Sequence, residues 1–460
     1  MTTAPTTAVS GDSVGAQLDR LPVGAVHRKV VVAVGLGLFF EIYEIFLSST
    51  MSATLRHDFG VRGTALKLVL ASSFIGMFFG AALFGRLADQ MGRRKSFLVG
   101  LSWFSAFSLV GAFAPSPVIL VFARFMAGVG IGAVYPVADS YLADVLPREH
   151  RGRLASYAYT CSFLAVPFAA FLAWWLTQHS PLGIAGWRWL LALGAGGAVI
   201  VFALNRWLPE SPRWLVSVGR LDDAQRALDI FAAGSKAPAT QLKTPPDALR
   251  AGVGGPTQSA LKQLRRAPYN RRVLMLTVFH LFQTYGYYGF GTLAALVLVS
   301  RGYTVTSSML FSALSFLGYP IGSLMAIPLM VKFERKFLLV GSIVAVAAFG
   351  LLFATQSSVV AIIVFGFLTT ATSNVFSNAY HVYQAEIFPT TVRATAVGWT
   401  YSLSRLSSGA APFILIPILD HYGAGAMFTV VAVALAIVIV AVLALGPRTS
   451  RRSLEEINPV

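Results

Sequence analysis

Two carboxylates, Glu41 and Glu44, stand three residues apart in FFEIYEIF, inside an otherwise apolar run. On a helix that spacing puts both on one face. Arg124 and Asp139 interrupt the apolar run 116–143, and Arg405 interrupts 395–418. His280, Gln283, Tyr285, Tyr287 and Tyr288 punctuate 273–299, and Asn374, Asn378 and His381 fall along one helical stripe of 358–382. An ionisable group inside such a run costs about 2.5–3.5 kcal/mol on insertion scales, so these groups are candidates for function. A carboxylate whose surroundings alternate between wet and dry can load and release a proton. A guanidinium can grip a carboxylate through two parallel hydrogen bonds.

At about 1.5 Å of rise per residue, Glu41 falls near the middle of its run and Glu44 slightly beyond it. Arg124 comes within reach of Glu44 on an antiparallel helix. Asp139 lies roughly 22 Å along the axis from Arg124 and cannot pair with it. Glu44 is therefore the main candidate proton carrier, with Arg124 as its switchable partner. Glu41 and Asp139 are further proton-coupling candidates. The alternative is a static Glu44–Arg124 pair that only fixes helix packing.

Twelve apolar runs carry these residues, roughly 30–53, 66–84, 96–114, 116–143, 155–176, 187–206, 273–299, 304–330, 337–354, 358–382, 395–418 and 424–446. Each is long enough to cross a bilayer as a helix; runs 4, 7 and 10 are the least regular, because polar residues interrupt them. Hydrophobic residues make up 56% of the 460 and charged residues 12%, about half the charged share of an average soluble domain. So few charges cannot cover a soluble surface, and lipid must be part of the solvent.

The basic residues are placed asymmetrically. With twelve crossings both termini share one side, and 29 of the 36 lysines and arginines fall in the tails and loops of that side. The opposite loops hold Arg56, Arg62, Lys67, Arg188 and Arg301. Positive loops stay cytoplasmic, which predicts a multi-pass protein of the cytoplasmic (inner) membrane with both termini inside. The net charge of +17 then reflects topology and calls for no nucleic-acid partner. Cys161 is the single cysteine and the seven histidines are scattered. No nucleophile–base set or metal-ligand cluster appears, so an enzyme, a cofactor and a metal site are not expected. Residues 1–28 are polar and lack the apolar core and cleavage site of a signal peptide; a disordered cytoplasmic tail is predicted.

The chain also repeats itself, at a constant offset of 242 residues. FFEIYE at 39–44 lies over LFQTYG at 281–286, and Ser73, Phe74, Gly76 and Gly80 lie over Ser315, Phe316, Gly318 and Gly322. Arg93 and Arg94 meet Arg335 and Lys336, and YLADVLPREHR at 141–151 meets YQAEIFPTTVR at 383–393. Loops, acids and arginines do not agree at one offset by chance. The expected fold is all-α: six-helix bundles at 29–206 and 273–446, a cytoplasmic linker at 207–272 with an amphipathic helix near 221–232, and a cytoplasmic tail at 447–460. Parallel repeats of this design place a substrate between the halves near the bilayer midplane.

Three motifs carry a resemblance. GRLADQMGRRK at 85–95 looks like the signature loop of the major facilitator superfamily, RFMAGVGIG at 124–132 resembles its Arg–Gly helix 4 pattern, and PESPRWL at 209–215 is similar to the motif shared by sugar porters and by organic-ion and metabolite:proton symporters. The resemblance covers nearly the whole chain. It implies a secondary active transporter working by alternating access as a monomer, with a small molecule, protons and the bilayer as partners. It also implies a latch in which Gly85, Asp89, Gly92, Arg93, Asp144, Arg151, Glu210, Arg213, Glu386 and Arg393 bridge the halves on the cytoplasmic side; the alternative is solvated loop charges, whose exposed pairs are worth about 0–1 kcal/mol. Glu44 matches the helix 1 acid of proton-coupled sugar porters, and the Glu41/Glu44 pair looks like the double acid of metabolite:proton symporters.

GPRTSRRSLEEI at 446–457 departs from the sugar-porter ending. Arg405 follows Arg393 by twelve residues in RATAVGWTYSLSR, a spacing that resembles the organic-anion branch, whose second arginine faces substrate. The leading expectation is proton symport of an aromatic or heterocyclic carboxylate, gripped by Arg405 and oriented by Gln283, Tyr285, Tyr288, Asn374, Asn378 and His381. Arg405 pairing with an internal acid and His381 as plain packing are the alternatives; His280 and Tyr287 are set aside. Sugar:proton symport is the runner-up, ahead of a proton-driven drug exporter.

Overall fold

The computed structural model describes residues 14–58, 63–147, 149–205, 208–237, 262–388, 390–449 and 457; they are mostly helical, with no strand among them. The side chains of 84–89 and 393–395 lie outside the described residues, and with them the expectations placed on Gly85, Asp89 and Arg393.

Helix α1 (Val14–Arg20) leads into α2 (Ala25–Asp58), α3 (Gly63–Met91), α4 (Arg93–Ala112), α5 (Pro117–Val145), α6 (Arg151–Phe163), α7 (Ala165–His179) and α8 (Gly186–Asn205). Two short helices follow, α9 (Pro212–Ser217) and α10 (Leu221–Gly234). The second half holds α11 (Tyr269–Ser300), α12 (Val305–Phe316), α13 (Gly318–Lys332), α14 (Arg335–Thr355), α15 (Val359–Glu386) and α16 (Thr390–Leu445). Nine segments qualify as membrane spans by length and mean hydropathy among the described residues. The longest, Ala396–Leu445, counts twice because Gly423 breaks it with φ 81°. With α8 and α11 the crossings number twelve, as predicted. The protein is a multi-pass membrane protein, and exposed apolar side chains such as Phe79, Val118, Phe122, Val331 and Val440 cover its flanks.

Crossings 5 and 8 are each made of two helices, α6–α7 and α12–α13, which part at Leu164 and Leu317. Proline lacks the amide proton and presses its ring on the carbonyl four residues back. Pro167 and Pro320 thereby free the carbonyls of Phe163 and Phe316, where the two helices stop.

The internal repeat is visible in the packing. A Cβ added at Gly76 or Gly80 of α3 would overlap the carbonyl oxygens of Phe125 or Val129 on α5. One added at Gly318 or Gly322 of α13 would overlap those of Phe367 or Ala371 on α15, each 242 residues further on. Only glycine permits so close a backbone approach. The halves meet through α3 against α16, α7 against α12, and α2 against α11.

The terminal segments differ from expectation. Part of the predicted tail 1–28 is the helix α1, with Val14 and Leu18 buried, and Asp19 is 2.9 Å from Arg213 and 3.5 Å from Arg151. In the linker, Ser211 caps α9 by accepting from Trp214 N at 3.1 Å, with Pro212 at the first helical position, the pairing that Ser-Pro favours. The amphipathic α10 buries Ala224, Ala227, Leu228 and Phe231.

Candidate functional site

A small cavity of about 30 Å³ lies between the halves. Ile42 and Ile45 of α2, Tyr135 of α5 and Phe163 of α6 line it from the first half. Gln283, Tyr287 and Tyr288 of α11, Ser377, Tyr380 and His381 of α15, and Tyr401, Ser404 and Arg405 of α16 line it from the second. The last two sets share one spacing, i, i+3 and i+4, which brings three side chains to one helix face.

Arg405 is the charged group of this wall. It is 3% exposed. Its Nη1 donates to Tyr288 Oη and its Nη2 to Tyr401 Oη, both at 2.8 Å, and the guanidinium lies 5.0 Å from the Tyr401 ring centre. Its Nε is buried without a hydrogen-bond partner. A planar cation held by two neutral hydroxyls can accept a carboxylate as its counter-ion. Away from the termini the cavity is closed by Phe46 against Tyr288, Phe316 and Tyr319, and by Phe163 stacked on Tyr319. Towards the termini, Tyr135 stacks on His381 across the seam, with ring centres 5.9 Å apart.

The candidate substrate residues thus divide. Gln283, Tyr288, His381 and Arg405 share the wall. Asn374, Asn378 and Tyr285 are not part of it. Asn374 Nδ2 donates to Tyr319 O at 2.6 Å, and Asn378 Nδ2 to Asn374 O at 2.9 Å and Ser323 Oγ at 3.4 Å. Their amides tie α15 to α13, because a buried amide takes the backbone or hydroxyl partner nearest to it. Tyr285 is half-buried and hydrogen-bonded to Ser407. Tyr287, set aside on sequence, is in the wall. His280 stands behind it, with Nε2 3.2 Å from Gln384 Oε1 and its ring edge-on to Tyr401. Tyr135, Tyr380 and Tyr401 escaped notice, although Tyr401 precedes Arg405 by four residues and Tyr135 precedes Asp139 by four, the signal of a shared face.

The acids also separate. Arg124 Nη1 donates to Glu44 Oε2 at 2.6 Å, Nη2 donates to the Glu44 carbonyl at 2.9 Å, and Ser108 Oγ donates to Oε1. This cluster joins α2, α4 and α5 and forms no part of the cavity wall. Tyr159 Oη donates to Asp139 Oδ1 at 2.5 Å. Glu41 is 1% exposed, and neither carboxylate oxygen has a hydrogen-bond partner.

On the face that carries the termini, Gly92 opens α4 with φ 98°, and an added Cβ there would overlap Glu210 Oε2. Arg94 N donates to Glu210 Oε1 at 3.0 Å, and Ser211 Oγ to Asp144 Oδ2 at 2.9 Å. Arg93 stands 3.8 Å from Asp144, and 242 residues on Arg335 stands 3.1 Å from Glu386. The first of these ion pairs lies within the first half and the second within the second half, and on the opposite face Thr177 Oγ1 approaches Met309 Sδ at 3.3 Å across the seam.

The family of sugar (and other) transporters matches this chain over residues 29–460. The chain is 30% identical over 398 residues to YyaJ of Bacillus subtilis (strain 168), a provisionally named metabolite transport protein, covering 85% of this chain and 86% of that one. It is 28% identical over 448 residues to the niacin transporter NiaP of Acinetobacter baylyi, covering 96% and 99%. A solved structure of the xylose transporter XylE from E. coli, in a partially occluded inward open conformation, superposes with a TM-score of 0.76 at 19% identity, covering 93% of this chain and 100% of that one. The chain belongs to the sugar (and other) transporter family of the major facilitator superfamily, and it is a membrane transporter of small molecules rather than an enzyme.

Proposed function

We propose that this protein imports a small organic carboxylate with one aromatic or heterocyclic ring together with protons, as a monomer in the cytoplasmic membrane with both termini inside. The observation that carries this reading is Arg405, a buried guanidinium in the wall of the central cavity, held by Tyr288 and Tyr401. Five tyrosines, His381 and Gln283 surround the remaining space. Flat faces suit a planar ring, and the guanidinium suits its carboxylate. Niacin, the compound named for the NiaP relative, is such a molecule. The Glu44–Arg124 pair is the leading site of proton coupling, with Arg124 releasing the carboxylate when it takes a proton. The basic loops on the terminal side support the orientation.

Uptake of radiolabelled benzoate, nicotinate and a hexose by cells making the protein tests the reading. Accumulation of a ring carboxylate that collapses with an uncoupler is the expected result. Accumulation of the hexose alone overturns it.

A further inference from the structure

Behind the cavity wall, His280 and Gln384 form a hydrogen-bonded relay that ends on His381. His280 of α11 is fully buried, with its ring edge-on to Phe279, Tyr380 and Tyr401. Its Nδ1 has no hydrogen-bond partner, and its Nε2 stands 3.2 Å from Gln384 Oε1. Gln384 of α15 is buried too, and its Nε2 stands 3.4 Å from His381 Nδ1. A neutral imidazole carries one ring proton, and the hydrogen bond made by one nitrogen decides which nitrogen holds it. A proton on His280 Nδ1 would be a buried N–H with no acceptor, which folded proteins avoid more strictly than an unused acceptor. The His280 proton therefore sits on Nε2 and is donated to Gln384 Oε1. That bond orients the amide, so the Gln384 N–H donates to His381 Nδ1. An accepting Nδ1 is bare, and the His381 proton sits on Nε2.

His381 lines the cavity together with Arg405. The rings of Tyr380 and Tyr135 stack on it, with centres 4.2 and 5.9 Å away. A ligand therefore meets the edge of the imidazole, where Nδ1 is already taken. Tyr401 links the two groups: its ring centre is 5.0 Å from the Arg405 guanidinium and 6.2 Å from the His381 ring centre. We infer that the Nε2–H of His381 is a specificity donor. Among ring carboxylates held at Arg405, it selects those whose ring carries a hydrogen-bond acceptor away from the carboxylate, such as a pyridine nitrogen. A ring without an acceptor covers that N–H and leaves it unpaired, which is the basis of rejection. Gln384 and His280 are positioning residues that keep the proton on Nε2. The inference rests on the carboxylate reading above and adds a second point of recognition to it.

The test is made on the purified full chain in lipid nanodiscs, with binding followed by calorimetry. Nicotinate and nicotinamide are the probes that carry the ring nitrogen; benzoate and benzamide are those that lack it. The wild type is expected to bind nicotinate about tenfold or more tightly than benzoate. His381→Phe keeps a flat ring and is expected to bring that ratio to about one, with benzoate affinity changed by less than about threefold. NMR of the imidazole nitrogens reads the tautomer, the His381 signal being the one missing from His381→Phe. The proton is expected on Nε2, and Gln384→Met is expected to mix the two tautomers and shrink the ratio. Equal binding of nicotinate and benzoate by the wild type, a proton on His381 Nδ1, or an unchanged ratio in His381→Phe overturns the proposal and leaves the carboxylate reading standing. The wild-type ratio carries the test where His381→Phe fails to fold. The amides separate the two readings. A preference for nicotinamide over benzamide, with neither acid bound more tightly than its amide, overturns the carboxylate reading and supports the His381 contact. Failure of all the probes to bind overturns both.

Discussion

Arg124 grips Glu44 twice, at the carboxylate (2.6 Å) and at the backbone carbonyl of the same residue (2.9 Å). Their side chains are 1% and 0% exposed. Removing one partner of a buried pair strands the other and costs about 3–5 kcal/mol, whereas removing both can be nearly neutral. Arg124→Leu is therefore expected to melt well below the wild type, and Arg124→Leu with Glu44→Gln to recover much of the loss. A single variant as stable as the wild type would show that the pair is not closed in the folded protein.

Glu44→Gln separates proton coupling from transport. The variant is expected to lose accumulation driven by a proton gradient and to keep counterflow exchange, because the cavity wall is untouched. Full gradient-driven accumulation would move the coupling elsewhere.

Arg405→Lys keeps the charge and loses the planar fork that Tyr288 and Tyr401 hold. Transport of a ring carboxylate is expected to fall by about 100-fold or more in apparent affinity. Tyr401→Phe removes one hydrogen bond to the guanidinium and is expected to cost about tenfold. Equal, small effects of both changes would place the anion away from Arg405.

Gly80 and Gly322 test the repeated packing. Alanine at either forces a methyl group onto a neighbouring carbonyl, with an expected cost of about 1–3 kcal/mol. Gly341 and Gly425 have nothing within 4 Å of an added Cβ, so alanine there should leave the melting temperature unchanged. Thermal melts of the four variants decide the matter.

Asp19 ties α1 to Arg151 and Arg213 with partly exposed side chains. Pairs of this kind are worth about 0–1 kcal/mol. Asp19→Asn is expected to leave the global melt nearly unchanged while speeding proteolytic cleavage before residue 25. Unchanged cleavage would show that the buried Val14 and Leu18 hold α1 alone.

The twelve crossings were legible because lipid demands continuous apolar runs and internally bonded backbone. Even α5, α11 and α15, interrupted by polar residues, run unbroken as Pro117–Val145, Tyr269–Ser300 and Val359–Glu386. The offset of 242 residues was legible because glycines at helix crossings tolerate no substitute. The breaks at Leu164 and Leu317 follow from Pro167 and Pro320, whose rings disrupt the backbone four residues back. α1 was not legible, since a seven-residue helix depends on the surface it lands on rather than on its own propensity.

The site was partly legible. An arginine or carboxylate inside an apolar span announces itself by its cost, so Glu41, Glu44, Arg124, Asp139 and Arg405 could be named in advance. Tyrosine carries no such cost, so Tyr135, Tyr380 and Tyr401 passed as ordinary span residues. Asn374 and Asn378 erred the other way, polar enough to suggest a ligand yet used to bind helix to helix.

The sequence by itself determined the number of crossings, their grouping into two related halves and the inventory of buried charges, because each follows from local composition against a lipid solvent. Only the tertiary structure decided who partners whom. Glu41 and Glu44 share a helix face and a chemistry. Glu44 meets Arg124 and Ser108, and both carboxylate oxygens of Glu41 stay buried without a hydrogen-bond partner. That difference arises from how α4, α5 and α16 pack around α2, which no spacing along one helix contains.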